Sequence, residues 1–327
     1  MSTIYYLAPD HDVPSWGVGL LYHHVEILVG LGFDARVLHE KKPFRLSWLD
    51  LEVPIDYLGD GAPRLAASDV LVVPEVLAAR TDVDWGASRR VVFVQNSFLL
   101  HVGATTAPDY RRLGYEAVLA TMPHIRDIVA AHHGLVPTVV PPFVAPYFFL
   151  DEDELDRPRR PEVLLVDKPD YRRAGYLDYE IAAKLLERYF ARRPSGDNGA
   201  RWRLNEVSGK THRQLAEMMR RAALLVSLNT LESLNAVVPE AMAGGCIVAC
   251  YEAFGGRDFL RSGRNAYVFP NNWVYPLVET VQGLIDGWEE RREELATMRA
   301  AAYETARSYG KAATAKALGE FFGGLLA

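Results

Sequence analysis

Two carboxylates and a small set of cations are the residues whose types and spacing could do chemistry in this chain. Glu232 and Glu240 are separated by seven residues, between the apolar run Leu224 to Leu228 and the run Cys246-Ile247-Val248-Ala249-Cys250. If the segment between them turns through a loop into a helix, both carboxylates sit at one crevice beside strand ends, where open parallel sheets bind ligands. An ionised carboxylate only accepts hydrogen bonds, so a pair of them suits a ligand rich in hydroxyls. Lys168, Arg172 and Arg173 share one loop after the strand-like run Glu162 to Asp167. Forked arginine donors and a lysine point charge suit a diphosphate; a solvated basic loop is the alternative. Gly17 and Gly19 precede the helical face Leu20, Leu21, His24, Val25, Leu28 and Leu31. Glycines at a helix N-terminus let backbone N–H groups approach an anion, unless they form an ordinary turn. Gly255 and Gly256 offer a further backbone nest.

Two more polar residues stand where strands end. The runs Asp69 to Pro74 and Val91 to Gln95 are β-branched, and Glu75 and Asn96 follow them. Both are candidates for a ligand cleft, with capping of the next turn as the competing role. His101 lies in the same loop and reads as a surface residue, while His132 and His133 beside Gly134 read as the end of a helix. The two cysteines, Cys246 and Cys250, fall inside one apolar run and read as small hydrophobes.

These residues need elements to hold them, and the patterning supplies two α/β sets. The first has strands over Thr3 to Ala8, Asp34 to Leu38, Asp69 to Pro74, Val91 to Asn96, Tyr115 to Thr121 and Val136 to Pro142, with helices over Leu20 to Leu31 and Met122 to His133. The second has strands over Glu162 to Asp167, Trp202 to Val207, Leu224 to Leu228, Cys246 to Cys250 and Asn265 to Phe269. Its helices are Tyr176 to Phe190, His212 to Ala223, Val274 to Glu290 and Glu293 to Ala306, and Ala312 to Leu326 is a last amphipathic helix. The acidic block Asp151 to Glu154 and the basic, proline-bearing block Arg157 to Pro161 read as a linker. The expected domains are therefore 1–149, a linker 150–161, 162–306, and a C-terminal helix 307–327 that can pack back on the first domain. Between Glu40 and Arg64 the pattern loosens, and Phe44, Trp48 and Tyr57 there either stack on a sugar or belong to the core.

The whole-chain numbers narrow the classes. At 327 residues, 49% hydrophobic and 24% charged, the chain holds two ordinary cores and is too apolar for disorder. A net charge of −6 argues against a nucleic-acid partner. No run approaches the roughly 20 apolar residues of a membrane span, and Met1-Ser2-Thr3-Ile4 lacks a basic leader. The expected localisation is cytoplasmic. The pairs Arg89-Arg90, Arg111-Arg112 and Arg192-Arg193 leave weak peripheral contact with the inner membrane face open.

Ser227-Leu228, Glu232-Ser233, the run Pro239 to Val248 and Gly255-Gly256-Arg257-Asp258 together resemble the donor signature of retaining GT-B glycosyltransferases of family 4, the glycosyl transferases group 1. The resemblance implies two Rossmann-like, doubly wound domains facing each other across a cleft. It implies transfer of a sugar from a nucleotide-diphosphate donor to a glycan, lipid-linked or small-molecule acceptor, with retention and with neither cofactor nor metal. By position, Glu232 would touch hydroxyls of the transferred sugar and Glu240 the nucleotide ribose. Lys168 with Arg172 or Arg173 would hold the diphosphate, Gly17 and Gly19 would lie near the donor phosphate and the acceptor, and Gly255 and Gly256 would join the donor site. The family's Gly-Phe-Gly is here Ser233-Leu234-Asn235, which makes Asn235 a donor-site candidate. Its strand-end histidine is here Gln95-Asn96, which makes Asn96 the candidate catalytic group of the first domain. Two other readings stay open: a GT-B epimerase or hydrolase of the nucleotide sugar, and a non-catalytic nucleotide-sugar-binding subunit. Oligomeric state, donor base and acceptor stay open as well.

Overall fold

The computed structural model describes residues 2–58, 65–80, 86, 88–100, 109–166, 177–192 and 201–327. The chain divides into two compact units, Met1–Phe143 with Lys311–Ala327, and Val144–Gly310.

The first unit is built on a seven-stranded parallel sheet. Its strands are β1 (Ile4–Leu7), β2 (Ala35–His39), β3 (Ile55–Tyr57), β4 (Val70–Pro74), β5 (Arg89–Val94), β6 (Ala117–Ala120) and β7 (Thr138–Val139), in the order β3-β2-β1-β4-β5-β6-β7. Ile4 pairs with Ala35 on one side and Val70 on the other, so the strand order reverses between β1 and β4. β1 and β4 are buried throughout, which is why they read as continuous apolar runs. Helix α1 (Trp16–Gly30) lays Leu21, Val25 and Leu28 into the core with Tyr6, Val72 and Phe93. Helix α2 (Pro123–His133) starts at a proline and stops at Gly134, whose φ of 61° is left-handed. The C-terminal helix, Lys311–Leu326, belongs to this unit: Leu318 and Phe322 enter its core, and the Thr314 hydroxyl donates to the Pro141 carbonyl at 2.7 Å.

Phe44 and Trp48 pack against the core, and the Tyr57 hydroxyl donates to the Phe44 carbonyl at 3.2 Å. The three-residue β3, which has no strong pattern of its own, exists through its pairing with β2.

The second unit carries a five-stranded parallel sheet: β8 (Arg160–Val166), β9 (Arg203–Val207), β10 (Ala222–Ser227), β11 (Ile247–Tyr251) and β12 (Tyr267–Phe269), in the order β12-β11-β10-β8-β9. Its helices are α3 (Asp178–Arg192), α4 (His212–Met219), α5 (Val237–Ala243), α6 (Gly256–Phe259), α7 (Val274–Asp286) and α8 (Arg292–Arg307), which makes the C-terminal Lys311–Leu326 helix α9. Val163, Leu165, Leu224 and Val226 meet Leu277, Val281 and Leu284 of α7 in one core. The chain runs from β8 out to β9 and then back to the other side of β8, so the strand order reverses between β8 and β10. Helix α4 stops at Met219, four residues before the Ala223 that periodicity suggested, because Ala222 and Ala223 already belong to β10.

Residues 150–161, read from composition as a linker, lie within this second unit. The Leu150 N–H donates to the Ala243 carbonyl, and Asp151 caps a 3-10 turn over Glu152–Glu154. The Arg159 guanidinium donates to the carbonyls of Met219 at 3.1 Å, Arg220 at 2.8 Å and Gly244. A run of charges hid two residues, Leu150 and Arg159, that satisfy the carboxyl ends of helices.

Candidate functional site

In the second unit the loop after β10 and the helix α5 carry the two glutamates. β10 is fully buried and delivers the chain to Leu228 at the carboxyl edge of the sheet, next to the β8–β10 reversal. Strand-order reversals are where open parallel sheets leave a crevice for ligands. The loop does not lie loose. Asn229 Nδ2 donates to Asn235 Oδ1 at 2.8 Å, and Asn235 Nδ2 donates to Ser227 Oγ at 2.9 Å, all three residues being buried. The Asn235 amide is thus spent inside the protein. It braces the loop that presents Glu232, and a direct contact with a donor would require breaking that brace.

Glu232 is half-buried, and its carbonyl accepts the N–H groups of Phe254 at 3.2 Å and Gly255 at 3.3 Å. The loops after β10 and β11 are therefore tied together at Glu232. The same bonds revise the role expected of Gly255. The Gly255 N–H is already used, its φ of −78° is ordinary right-handed backbone, and the left-handed residue of the turn is Ala253, at φ 46°. An anion nest needs successive N–H groups to converge on empty space, which Gly255 does not provide.

Glu240 sits in the first turn of α5 and is 4% exposed. A carboxylate taken that far out of water needs partners, and His212 supplies one, with Nε2 at 2.9 Å from Glu240 Oε1. The other ring nitrogen, Nδ1, lies 2.7 Å from the Tyr147 hydroxyl, and Phe148 packs edge-on against the imidazole. His212 opens α4, where Thr211 and Gln214 form a reciprocal cap that fixes the first turn. Burial works against charge on this imidazole, but the Glu240 carboxylate beside it outweighs burial and holds its pKa above the usual histidine value. Neither His212 nor Tyr147 stands out in the sequence, because their meeting with Glu240 depends on partners 28 and 65 residues apart.

The cationic candidates Lys168, Arg172 and Arg173 lie outside the described residues. Among the described residues no group of His, Cys, Asp and Glu is placed to hold a metal ion. Burial pushes the Cys246 thiol up to about 11 and the Cys250 thiol up to about 12, so both stay protonated packing groups.

In the first unit, α1 begins at Trp16, earlier than periodicity indicated, so Gly17 and Gly19 belong to its first turn and not to a loop before it. The Gly19 N–H is already used by the Ser15 carbonyl at 3.0 Å, which removes it as an anion ligand. Gly17 stays among the first-turn N–H groups that precede the helical ladder. A Cβ on Gly17 would lie 2.7 Å from Gln95 Oε1, and that oxygen is buried without a partner among the described residues. Asn96 takes the capping role: its Oδ1 accepts the Phe98 N–H at 3.0 Å and its own N–H donates to Glu75 Oε1 at 2.9 Å. Glu75 is 3% exposed, and burial raises its pKa to about 7 against the pull of the neighbouring backbone N–H groups.

Comparison with known proteins bears on this geometry. Residues 204–304 match the model of the family "Glycosyl transferases group 1", a span that holds both glutamates and His212. No curated protein matches the chain. Among solved structures, a glycosyltransferase from Rickettsia africae ESF-5 aligns with a TM-score of 0.68 at 12% identity, covering 99% of this chain and 98% of the other. The Anabaena protein Alr3699/HepE in complex with UDP aligns at 0.64 and 13% identity, over 99% and 100% of the two chains. The sucrose-phosphate synthase from Thermosynechococcus elongatus aligns at 0.65 and 14% identity, over 99% of each. At these identities the likeness shows the fold, which is the GT-B class of two parallel-sheet α/β units.

Proposed function

Starting from a GT-B chain whose residues 204–304 match the model of the glycosyl transferases group 1, we propose that this protein transfers a sugar from a nucleoside-diphosphate donor, with retention at the anomeric carbon. The observation that carries the reading is Glu240: a buried carboxylate on the first turn of α5, one oxygen held by His212, at the carboxyl edge of the second sheet. A ribose offers that carboxylate paired hydroxyl donors, and a site built to accept them rejects ligands that lack them. Glu232, on the loop braced by Asn229 and Asn235, is assigned to the hydroxyls of the transferred sugar.

As the bond from sugar to diphosphate breaks, negative charge grows on the leaving group and the sugar gains oxocarbenium character. Preorganised cations and backbone N–H groups stabilise that charge, a task assigned to Lys168 with Arg172 or Arg173. Because this stabilisation can stand in for a metal ion, the proposed reaction needs none. The proposed chemistry is displacement on one face of the sugar, the departing diphosphate oxygen taking the acceptor proton, so no covalent glycosyl-enzyme forms. Recognition of a saccharide or lipid-linked acceptor is assigned to the first unit, with Asn96 at the edge of its sheet.

The test is a thermal-shift screen with uridine, guanosine, thymidine and adenosine diphosphate sugars, since a ligand that binds only the folded state raises its melting temperature. Transfer assays then follow with the sugar that binds. Glu232→Ala and Glu240→Ala should each abolish most transfer while keeping a folded circular-dichroism spectrum, and NMR of the product should show the donor's anomeric configuration. Wild-type rates in both variants would sink the proposal. Turnover of donor without acceptor would favour the epimerase or hydrolase reading instead. Activity unchanged by a chelator is expected, and loss of activity restored by a divalent ion would overturn the metal-free part.

A further inference from the structure

Glu240 is a buried acid of the second unit, and it is held by a chain of side chains. The Tyr147 hydroxyl meets His212 Nδ1 at 2.7 Å, and His212 Nε2 meets Glu240 Oε1 at 2.9 Å. Each link comes from a different element: Tyr147 from the 3-10 turn Pro146–Phe148, His212 from the start of α4, and Glu240 from α5. The imidazole is gripped from further sides, by the Phe148 ring at 4.8 Å and the Tyr147 ring at 5.7 Å, both edge-on. Arg213 lies over the Tyr147 ring, its guanidinium carbon 4.9 Å from the centroid, which holds the tyrosine in turn.

The proton arrangement follows from these partners. With a neutral ring, the Tyr147 O–H donates to Nδ1 and the ring proton sits on Nε2. With a charged ring, Nδ1–H donates to the tyrosine oxygen and Nε2 again carries a proton. In both states an N–H points at Glu240 Oε1. That carboxylate oxygen is therefore fixed, while Glu240 Oε2 has no hydrogen-bond partner among the described residues. A carboxylate locked at one oxygen loses its side-chain freedom before any ligand arrives, and a preorganised acceptor binds with less entropic cost.

We propose that His212, held by Tyr147, is a positioning residue that locks one oxygen of Glu240 and presents the other to the 2′- and 3′-hydroxyls of a nucleoside diphosphate. The proposal rests on the assignment of Glu240 to the ribose. It adds that discrimination for ribose is set by a histidine and a tyrosine that do not themselves touch the nucleotide.

Titration calorimetry on the full chain tests it, with UDP and its 2′,3′-dideoxy form as probes, and with GDP or ADP and their dideoxy forms where wild type ignores UDP. His212→Ala should weaken ribonucleotide binding by about tenfold, the scale of a lost hydrogen bond to a charged group, and leave the dideoxy probe unchanged. His212→Gln, whose amide can place an N–H near the position of Nε2, should recover most of the loss. In a Glu240→Ala background His212→Ala should have no further effect, as a double-mutant cycle requires of coupled residues. If His212→Ala loses its fold by circular dichroism, Tyr147→Phe carries the same test, with a loss of about threefold confined to the ribonucleotide. Collapse of ribose discrimination in Glu240→Ala but not in His212→Ala or Tyr147→Phe overturns the positioning role alone. Discrimination kept in Glu240→Ala overturns the ribose assignment itself. Failure of all three diphosphates to bind wild type overturns both.

Discussion

The carboxyl of Glu75 accepts the backbone N–H of Asn96 at 2.9 Å, joining the ends of the neighbouring strands β4 and β5 beneath the loop that Asn96 caps. Glu75 is 3% exposed, and burial raises its pKa to about 7 from the ordinary 4.5. The folded chain therefore keeps a proton that the unfolded chain gives up. Stability must fall as pH rises from the ordinary carboxylate range to about 7 and then level off, by about 3 kcal/mol in all. Glu75→Gln keeps the acceptor oxygen and has no charge to bury. Its melting temperature should exceed that of wild type at pH 8 and converge with it near pH 4.5. Parallel profiles for the two proteins would remove Glu75 as the titrating group.

The buried ladder Ser227, Asn235, Asn229 makes a second prediction. Asn235→Ala strands the Asn229 amide and the Ser227 hydroxyl, and buried polar groups without partners cost about 1–3 kcal/mol each. Urea unfolding should show a loss of about 2–6 kcal/mol for the two groups together. Donor affinity should fall as well, although Asn235 touches no ligand, because the loop presenting Glu232 loses its brace. A stable Asn235→Ala variant with weakened donor binding would instead make Asn235 a direct ligand contact, as the residue pattern first suggested.

These two sites show how far the chemistry could be read from the chain. The buried strands announced themselves, since β4 and β10 are apolar on both faces and end abruptly at polar residues. The placement of Glu232 on a loop and Glu240 on a helix is legible for the same reason: both lie between two unmistakable strands. What stayed hidden depends on long-range partners or on turn geometry. His212 reads as the first residue of a capped helix, and nothing local says that a carboxylate 28 residues later will need it. Gly255 reads as a nest until the Glu232 carbonyl claims its N–H. Arg159 reads as one charge in a basic run, yet it answers three helix-end carbonyls.

Gly245 marks the point where Arg159 meets the end of helix α5. Its φ is +75°, and a Cβ there would lie 2.7 Å from Leu150 Cδ1 and 2.9 Å from Arg159 Nη2. Its carbonyl also accepts Arg299 Nε at 3.0 Å. Gly245→Ala combines left-handed strain of about 1–2 kcal/mol with a clash against a guanidinium that cannot withdraw without abandoning its carbonyls. The expected loss is about 2–4 kcal/mol, seen as a lowered urea midpoint with an unchanged slope. A variant within about 0.5 kcal/mol of wild type would mean that Leu150 and Arg159 can shift together.

The His212–Glu240 pair predicts a pH dependence of opposite sign to that of Glu75. The groups facing His212 are Glu240 on α5, Tyr147 on the 3-10 turn and, on its own helix, Arg213, which lies over the tyrosine; the packed strand β10 contributes no titratable side chain. Burial disfavours the charged imidazole, the Glu240 carboxylate more than compensates, and the net direction is upward. A histidine whose folded pKa is raised contributes its full stability below the usual value near 6.5 and loses it as pH climbs through the folded value. The ion-pair part of the interaction should therefore disappear over the window from the usual histidine value up through the raised folded one, while the Nε2–H bond to Glu240 persists. Melting temperatures of wild type and His212→Gln should differ most at the acid end of that window and converge at the alkaline end. A constant gap would show that His212 acts as a neutral donor throughout, and a gap that widens with pH would contradict the raised pKa outright.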